Sequence, residues 1–406
     1  MIGATMSQYQ PQLEWIDQQR DRMCQLVTQW ANINSDSHNV GGLNLLAKEL
    51  KREFAVLGGE RVDRKLLPYA SITSDGREIM TPLGDAIAIS KRPNAPIKVF
   101  LGIHMDTVYE PDHPFQSVQR IDENTLRGPG VIDAKGGLCV MLIALQAFEQ
   151  FPLAGKIGWE ILINPDEEIA SPGSAPLLVE SAKRNHFGMV YEPALPDGNL
   201  VGERKGSGNF TAIIRGKSAH VGRDFSNGRN AIHAAAALVV ALDEINRSMP
   251  GVIVNVGRID GGGPANIVPD MAIVRFNMRV STREEQRKIE SELQRVVTMI
   301  DSRDGIRLEL KGGFSSPPKP MDDATTRLFE KVIGCGRDLG LNLTWRATGG
   351  VSDGNKLAAA GLPVIDSLGP RGGGMHSPDE FLLLDSLTER AKLSALLLMK
   401  IASGEA

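Results

Sequence analysis

The sequence predicts a protein of the α/β class, with a mixed sheet in a larger domain and a smaller α+β domain inserted into it. At 406 residues the chain exceeds what one hydrophobic core usually serves. Apolar strands alternate with helical patterns in the first and last parts of the chain, as in layered α/β folds. The middle follows the order β-α-β-β-α-β of a ferredoxin-like domain. We expect the larger domain to comprise residues 1–208 and 319–406, and the inserted domain to comprise residues 209–318.

The first part of the larger domain is expected to begin with helices. Apolar residues recur at helical spacing over 13–30 and again over 43–57, before Gly58 and Gly59. Short β-branched runs bounded by turn residues then predict strands that flank one more helix. These are strands at 85–90, 97–103 and 157–163 and a helix at 136–151. The alternation indicates a largely parallel or mixed sheet.

The inserted domain and the last part of the chain continue the pattern. For the inserted domain we predict strand 209–216, helix 229–247, strands 252–259 and 271–280, helix 282–301 and strand 306–313. The proline-rich segment 315–320 is expected to be a linker. Beyond it we predict helix 322–340, strand 362–368 and helix 385–401.

Composition excludes several classes of function. The 45 basic and 49 acidic residues give a net charge of -4, and no Lys/Arg run offers a footprint for nucleic acid or anionic lipid. No apolar run reaches the roughly 20 residues of a membrane span. The N-terminal sequence has neither the basic flank nor the apolar core of a signal peptide. Cys24, Cys139 and Cys335 are too scattered for a disulfide framework or a thiolate zinc site. We therefore expect a cytoplasmic protein with no nucleic-acid or membrane partner.

Acidic and imidazole side chains follow the predicted strands and neighbouring loops. They are His104, Asp106, Asp133, Glu167, Glu168, Glu192 and His376. In an open α/β sheet the carboxyl ends of the strands are where binding sites assemble. These distant positions can therefore converge on one crevice and form a metal site.

Two pairs within this set indicate a division of roles. The spacing of His104 and Asp106 places both on one face of a strand, where the carboxylate could accept the second imidazole N–H and fix a metal-binding tautomer. Successive residues such as Glu167 and Glu168 point in opposite directions, so one could bind a cation while the other faces a water. A structural histidine and a solvated acidic turn are the alternative interpretations.

Five ordered motifs carry a resemblance to a known family. "HMDTV", "GPGVIDAKGG", "NPDEE", "YEP" and "MHS" occur in this order between residues 104 and 377. On these motifs the chain resembles the M20 metallopeptidases, which include glutamate carboxypeptidases, acetylornithine deacetylase, succinyl-diaminopimelate desuccinylase and aminoacylases. The similar patterning covers nearly the whole chain. The resemblance implies a zinc-peptidase catalytic domain with an inserted lid and dimerisation domain.

The resemblance also implies two Zn²⁺ ions per subunit, with Co²⁺ or Mn²⁺ as possible substitutes. Asp133 and a water or hydroxide would bridge the ions, which lie about 3.5 to 4 Å apart in such sites. The remaining ligands would be His104 and Glu192 on one ion and Glu168 and His376 on the other. Glu167 would be the general base and then the acid, and Asp106 would orient His104. The bond between Asp133 and Ala134 would be cis, and Ala134 replaces the Asp or Met of many relatives without removing a ligand.

Three segments of the inserted domain resemble further family motifs. They are "GKSAHVG", "PANIVP" and "FNMRV". By this resemblance His220 would reach the active site of the partner subunit of a homodimer and stabilise the oxyanion. Asn266 and Arg279 would bind the terminal carboxylate of the substrate, which an arginine fork suits. A solvated loop histidine and an ordinary strand-face cation are the alternatives for His220 and Arg279.

These features predict a zinc-dependent hydrolase that cleaves an amide bond next to a free carboxylate in a small peptide or N-acyl amino acid. The run from Thr348 to Glu380 looks most like the glutamate carboxypeptidase branch. A carboxypeptidase that releases a C-terminal glutamate-like amino acid is therefore the first hypothesis. An N-acyl amino acid deacylase is the alternative, and a non-catalytic family member that binds a peptide or metal is a third.

Overall fold

The computed structural model describes residues 6–405. Residues 1–5 and 406, which fall within the ranges predicted for the larger domain, lie outside the described residues. The helices are α1 (Gln10–Asp17), α2 (Arg20–Ala31), α3 (Val40–Phe54), α4 (Gly137–Glu149), α5 (Ala175–Arg184), α6 (Val221–Asp224), α7 (Ala231–Ser248), α8 (Arg283–Asp301), α9 (Asp323–Asp338), α10 (Asp353–Ala359) and α11 (Asp385–Ser403).

The strands differ widely in length. They are β1 (Glu60–Arg64), β2 (Tyr69–Ile72), β3 (Glu78–Thr81), β4 (Ala86–Lys91), β5 (Ile97–His104), β6 (Gln119–Arg120), β7 (Thr125–Arg127), β8 (Ile157–Asn164), β9 (Phe187–Val190), β10 (Leu200–Arg204), β11 (Gly206–Arg215), β12 (Ala219–His220), β13 (Ile253–Gly261), β14 (Ile267–Val268), β15 (Met271–Val280), β16 (Arg307–Ser316), β17 (Trp345–Thr348), β18 (Val364–Ile365), β19 (Gly372–Gly373) and β20 (Phe381–Leu383).

The larger domain is built on a mixed six-stranded sheet. Its strand order is β1-β4-β8-β5-β9-β18. The strands β8, β5, β9 and β18 are parallel to one another, and β4 and β1 complete the sheet in antiparallel fashion. β5 is central and almost entirely buried, which is why its sequence is nearly continuously apolar. The predicted mixed α/β sheet is confirmed.

Helix α4 lies in the core of the larger domain. Twelve of its residues, from Gly137 to Phe148, are buried. The segment Val131–Glu149 is 19 residues long and apolar enough to cross a membrane, but 94% of an 18-residue stretch within it is buried inside the protein. The sequence analysis predicted no apolar run of this length, and the structure contains one. Because it is buried inside the protein, it has the character of a core helix.

The inserted domain is a two-layer structure of one sheet and two helices. Its sheet has the order β13-β15-β11-β16 with antiparallel neighbours, and α7 and α8 pack against it. A capping box between Thr282 and Glu285 starts α8, and the Asn230 side chain caps α7. The predicted βαββαβ order is confirmed.

Two chain crossings connect the domains, and α10 holds both. They lie between β10 and β11 and directly after β16. The Asn355 side chain donates hydrogen bonds to the carbonyl groups of Lys205 and Pro317, at 3.0 and 2.8 Å. One buried amide therefore ties both crossings to the larger domain.

The prediction of a linker over 315–320 is wrong in part. β16 extends to Ser316, and Lys319 is only 1% exposed. The Lys319 ammonium donates to the Gly202 carbonyl at 2.5 Å and lies 3.7 Å from the Asp366 carboxylate, which also pairs with Arg204. These partners are distant in sequence, so the local proline-rich pattern carried no sign of them. The strand β1 and the hairpin of β2 and β3 were also not predicted, because none of their residues is fully buried and they lack a clear apolar pattern.

Candidate active site

Polar side chains converge at the carboxyl ends of β8, β5 and β9, which are neighbours in the larger sheet. His104 is the last residue of β5, and Glu192 follows β9 by two residues. Glu167 and Glu168 lie on the turn after β8. Because these strands are parallel, their carboxyl ends meet at one edge and form a crevice there.

Asp106 connects His104 to the turn that carries the two glutamates. β5 ends at His104, so the two side chains do not share a strand face as the spacing predicted. The Asp106 carboxylate nevertheless lies 3.3 Å from Nδ1 of His104. It also accepts hydrogen bonds from the backbone N–H groups of Glu167 and Glu168, at 3.2 and 3.1 Å, and from the Ser37 hydroxyl at 2.7 Å. With Nδ1 facing Asp106, Nε2 of His104 faces the crevice.

Asp133 lies between the two imidazoles of the site. It belongs to the irregular segment Val131–Gly136 before α4, and its peptide bond to Ala134 is cis. Its Oδ1 atom lies 3.0 Å from Nε2 of His104, and its Oδ2 atom lies 3.4 Å from Nε2 of His376. A carboxylate that bridges two metal ions must present one oxygen to each side in this way.

His376 is presented by the loop between β19 and β20. Its φ of 61° lies in the left-handed region that non-glycine residues rarely adopt. Two residues earlier, Gly374 has φ of 70°, and a Cβ there would lie 2.3 Å from the Asp379 carbonyl oxygen, so only glycine fits. Nε2 of His376 lies 3.2 Å from Oε2 of Glu168. The His376 side chain is 56% exposed, so this side of the crevice is open to solvent.

Glu192 lies on the opposite side of the crevice. Its Oε1 atom is 3.8 Å from Nε2 of His104. Gly369 packs against the backbone behind it, and its N–H donates to the Glu192 carbonyl at 2.8 Å. A Cβ at Gly369 would lie 2.4 Å from the Tyr191 carbonyl oxygen, so this close approach also requires glycine.

The donors of the crevice fit divalent metal ions. One ligand atom from each of His104, Asp133 and Glu168 lies within 4.8 Å of the other two. Asp133 lies between two groups of donors. His104 and Glu192 form one group, and Glu168 and His376 form the other. Imidazole nitrogens and carboxylate oxygens are suitable ligands for zinc. The arrangement therefore offers two adjacent half-sites that share one carboxylate.

The electrostatics of the crevice favour a cation. Burial and, to a smaller extent, the charge of Asp133 raise the pKa of Glu192 to about 8. Burial likewise raises the pKa of Glu167 well above its usual range, with Glu192 adding to the effect. Hydrogen bonds to Asp133 and Glu168 raise the pKa of His376 to about 11. The closely packed carboxylates repel one another when all of them are ionised. A bound cation would offset this repulsion.

Three of the predicted site residues do not join this cluster. His220 pairs with Ile267 on a short ladder of the inserted domain, and its Nδ1 accepts a hydrogen bond from the Gly222 N–H. The carbonyl of Asn266 accepts a hydrogen bond from the Val221 N–H. Arg279 donates to the Gly349 carbonyl at 2.5 Å, across the gap between the domains. Within one chain, these three residues therefore lie on the inserted domain.

Two buried aspartates that the sequence analysis did not single out shape the glutamate turn. Asp166 accepts hydrogen bonds from the N–H and hydroxyl groups of Ser174, at 3.1 and 2.5 Å. Asp353 accepts hydrogen bonds from Asn164 at 2.7 Å and from the Ser171 hydroxyl at 2.5 Å. Asp166 belongs to the "NPDEE" motif itself. Its position as an acidic residue directly before the two glutamates could have identified it as part of the site.

Lys135 and Glu380 are buried beside Asp133 and were also missed. The Lys135 ammonium donates to the Ser35 hydroxyl at 2.6 Å and to the Met105 carbonyl at 2.7 Å, and burial lowers its pKa to about 8. Glu380 accepts hydrogen bonds from the backbone around Asp133, and burial raises its pKa to about 7. Lys135 lies within the "GPGVIDAKGG" motif, and Glu380 lies three residues after the "MHS" motif. Their charge at these positions could have identified them as part of the site.

Known proteins resemble this chain over most of its length. Carboxypeptidase G2 of Pseudomonas sp. (strain RS-16) is 27% identical over 330 residues, which are 80% of this chain and 78% of that protein. Succinyl-diaminopimelate desuccinylase of Pseudomonas syringae pv. syringae (strain B728a) is 31% identical over 325 residues, 73% of this chain and 81% of that protein. The crystal structure of a dinuclear metal binding peptidase of the M20 family from Bacillus subtilis superposes with a TM-score of 0.64 and 18% identity, covering 95% of this chain and 98% of that chain.

A family model places these similarities in one group. The model described as Peptidase family M20/M25/M40 matches residues 100–400. This range contains all five ordered motifs and the inserted domain. The resemblance drawn from the motifs is thereby confirmed, and the chain belongs to peptidase family M20/M25/M40, a family of metal-dependent hydrolases.

Proposed function

We propose that this protein is a two-zinc hydrolase that cleaves an amide bond next to a free carboxylate. The observation that carries the proposal is the position of Asp133, whose two oxygens lie 3.0 and 3.4 Å from the imidazoles of His104 and His376. Glu192 and Glu168 complete the two half-sites. The dinuclear site named for the Bacillus subtilis structure supports two ions rather than one. Zinc is favoured by the mixed nitrogen and oxygen donors.

The side chains of the crevice divide the work of hydrolysis. Zinc ions held there would acidify a water and polarise the scissile carbonyl. Glu167 takes a proton from the attacking water and later gives it to the leaving amine nitrogen. Glu167 lies in the same crevice, where burial first and the charge of Glu192 second raise its pKa. Asp106 keeps His104 in the tautomer that directs Nε2 to the crevice.

The substrate carboxylate is assigned to the inserted domain. Arg279 and Asn266 would bind it, since the guanidinium can donate two parallel hydrogen bonds. Similarity to carboxypeptidase G2 favours release of a C-terminal amino acid, and the run from Thr348 to Glu380 is the reason to expect a glutamate-like one. Similarity to succinyl-diaminopimelate desuccinylase favours the second candidate, deacylation of an N-acyl amino acid. Both reactions hydrolyse an amide bond.

We also propose a cytoplasmic homodimer that associates through the inserted domain. β13 is an edge strand of its sheet, and Ile253 and Ile259 on it are 44% and 56% exposed. Val240 on α7 is 70% exposed. These apolar side chains could be covered by a second copy, and His220 could then donate a hydrogen bond to the oxyanion in the other subunit. The free state of Cys24, Cys139 and Cys335 agrees with a reducing compartment.

A substrate panel tests the proposed function. The protein is incubated with zinc and with dipeptides and N-acyl amino acids, each with a free or an amidated terminal carboxylate, and the release of free amino acid is measured. We expect amidation to lower kcat/KM by at least about 10²-fold, because it leaves the carboxylate-binding groups unpaired. Dipeptides ending in glutamate should be the best substrates if the carboxypeptidase hypothesis holds, and N-acyl amino acids if the deacylase hypothesis holds.

Two variants sharpen the panel. Arg279→Lys should lose most of the preference for the free carboxylate, because an ammonium cannot replace the planar fork. Arg283→Lys, at an exposed arginine of the same domain, should keep the preference. Equal cleavage of free and amidated substrates by the wild-type protein would contradict the proposed specificity, and absence of cleavage across the panel would favour the non-catalytic hypothesis.

A further inference from the structure

Glu380 is a buried carboxylate that joins two separate parts of the candidate active site. It is 1% exposed and lies four residues after His376. Its backbone is anchored at both ends, because its N–H donates to the Ser377 carbonyl at 3.1 Å and its carbonyl accepts from the Gly128 N–H at 3.1 Å. The side chain is therefore held in a fixed position between the His376 loop and the segment that carries Asp133.

The Glu380 carboxylate is surrounded by hydrogen-bond donors. Oε1 accepts from the backbone N–H groups of Ile132 and Asp133, both at 3.1 Å. Oε2 accepts from the Gly130 N–H at 3.0 Å and from the Tyr109 hydroxyl at 2.7 Å. Three of the four donors are backbone N–H groups of the chain around Asp133, and none of the four donor groups is a metal-binding atom in the proposed site.

The segment around Asp133 needs such an acceptor. Asp133 and Ala134 have non-helical dihedral angles, and Gly130 has φ of 70°, so regular secondary structure does not pair these N–H groups. A buried N–H without a partner is destabilising, and a carboxylate that accepts several such bonds fixes the loop geometry. Tyr109 extends the connection, since its hydroxyl also lies 2.9 Å from the Ser377 carbonyl, next to His376.

We propose that Glu380 is a positioning residue that sets the Asp133 carboxylate against the His376 imidazole and thereby determines how tightly the metal ion between them is bound. This inference rests on the proposed function to the extent that metal ions bind at Asp133. The Glu380 carboxylate would contact neither the metal nor the substrate. It would act through the backbone of the segment that carries Asp133. Groups around metal ligands commonly change metal affinity by about 10- to 100-fold when they are removed.

The Glu380→Gln variant tests this role. Its carboxamide NH₂ must face backbone N–H or hydroxyl donors, so the segment around Asp133 has to shift. We expect one of the two ions to bind about 10- to 100-fold more weakly in competition with a chromophoric chelator. The visible absorption spectrum of the Co²⁺-substituted protein should also change, and excess metal should restore kcat. These readouts do not depend on catalysis alone.

A matched control separates positioning from general stability. Glu149, at the far end of α4, pairs with Arg92 and Lys91 and accepts from the Trp159 indole. Glu149→Gln should lower the unfolding temperature and leave metal affinity and the Co²⁺ spectrum unchanged. If Glu380→Gln binds both ions as the wild type does, or if Glu149→Gln weakens them equally, the positioning role is contradicted.

A milder variant keeps the test decisive if Glu380→Gln does not fold. Tyr109→Phe removes one donor to Glu380 and leaves the backbone donors in place. It should change the Co²⁺ spectrum in the same direction by a smaller amount, and an unchanged spectrum would overturn the inference. A wild-type protein that binds no metal would contradict the proposed function itself. A wild-type protein that binds two ions, together with variants that bind them equally well, would contradict only the role of Glu380.

Discussion

Replacement of Glu167 by glutamine is expected to lower kcat by about 10²- to 10⁴-fold, the usual contribution of a general acid and base. Glutamine has nearly the same shape but cannot take a proton from water. Because Glu167 is in neither half-site, the metal content and the KM should change little. Steady-state kinetics with the best substrate of the panel, together with elemental analysis, measure these quantities.

The neighbouring residue provides the matched control for this prediction. Glu168→Gln removes the same charge one position along the chain, but its carboxylate faces His376 at 3.2 Å. We expect this variant to lose metal as well as activity. A Glu167→Gln variant that keeps the wild-type kcat, or one that loses metal as Glu168→Gln does, would contradict the assignment of the base.

Asp133→Asn is expected to weaken the binding of both metal ions and to abolish measurable turnover. Asn offers one neutral oxygen where Asp133 presents two charged oxygens, one toward each imidazole. The loss should exceed the roughly 10- to 100-fold effect of removing a group behind a ligand. Metal content after dialysis against metal-free buffer should fall to less than one ion per chain.

The exposed Asp122 serves as the control for this change. Asp122→Asn makes the same chemical substitution on the surface and should retain two ions and full activity. Retention of two ions by Asp133→Asn would show that the carboxylate is not shared, and the two half-sites would then have to be assigned to other donors.

The clustered acidic and imidazole side chains were all predicted from the sequence to lie close together, namely His104, Asp106, Asp133, Glu167, Glu168, Glu192 and His376. Strand ends carry a local signal, because an apolar run stops where a charged residue begins, and parallel strands bring such ends together. Metal ligands must also be of a few residue types, which makes the motifs around His104 and Asp133 recognisable. The βαββαβ order of the inserted domain followed from hydrophobic periodicity in the same way.

The supporting residues could not be found in this way, since their partners are far along the chain. Glu380 bonds to residues around Asp133 that lie about 250 positions earlier, and Lys319 is buried against Asp366 in a segment that was interpreted as a linker. Nothing in the neighbouring sequence specifies such contacts. The placement of His220 and Arg279 relative to a bound substrate depends on the arrangement of domains and subunits, which local patterns do not encode.

Metal dependence is the most direct test of the proposed function. The wild-type protein is stripped with a chelator, and zinc is titrated back while amide hydrolysis and bound metal are measured on the same samples. We expect activity to vanish on stripping and to return as binding saturates at two zinc ions per chain. Unchanged hydrolysis by the metal-free protein would contradict a metal-dependent mechanism, and full activity at one ion per chain would contradict a site bridged by Asp133.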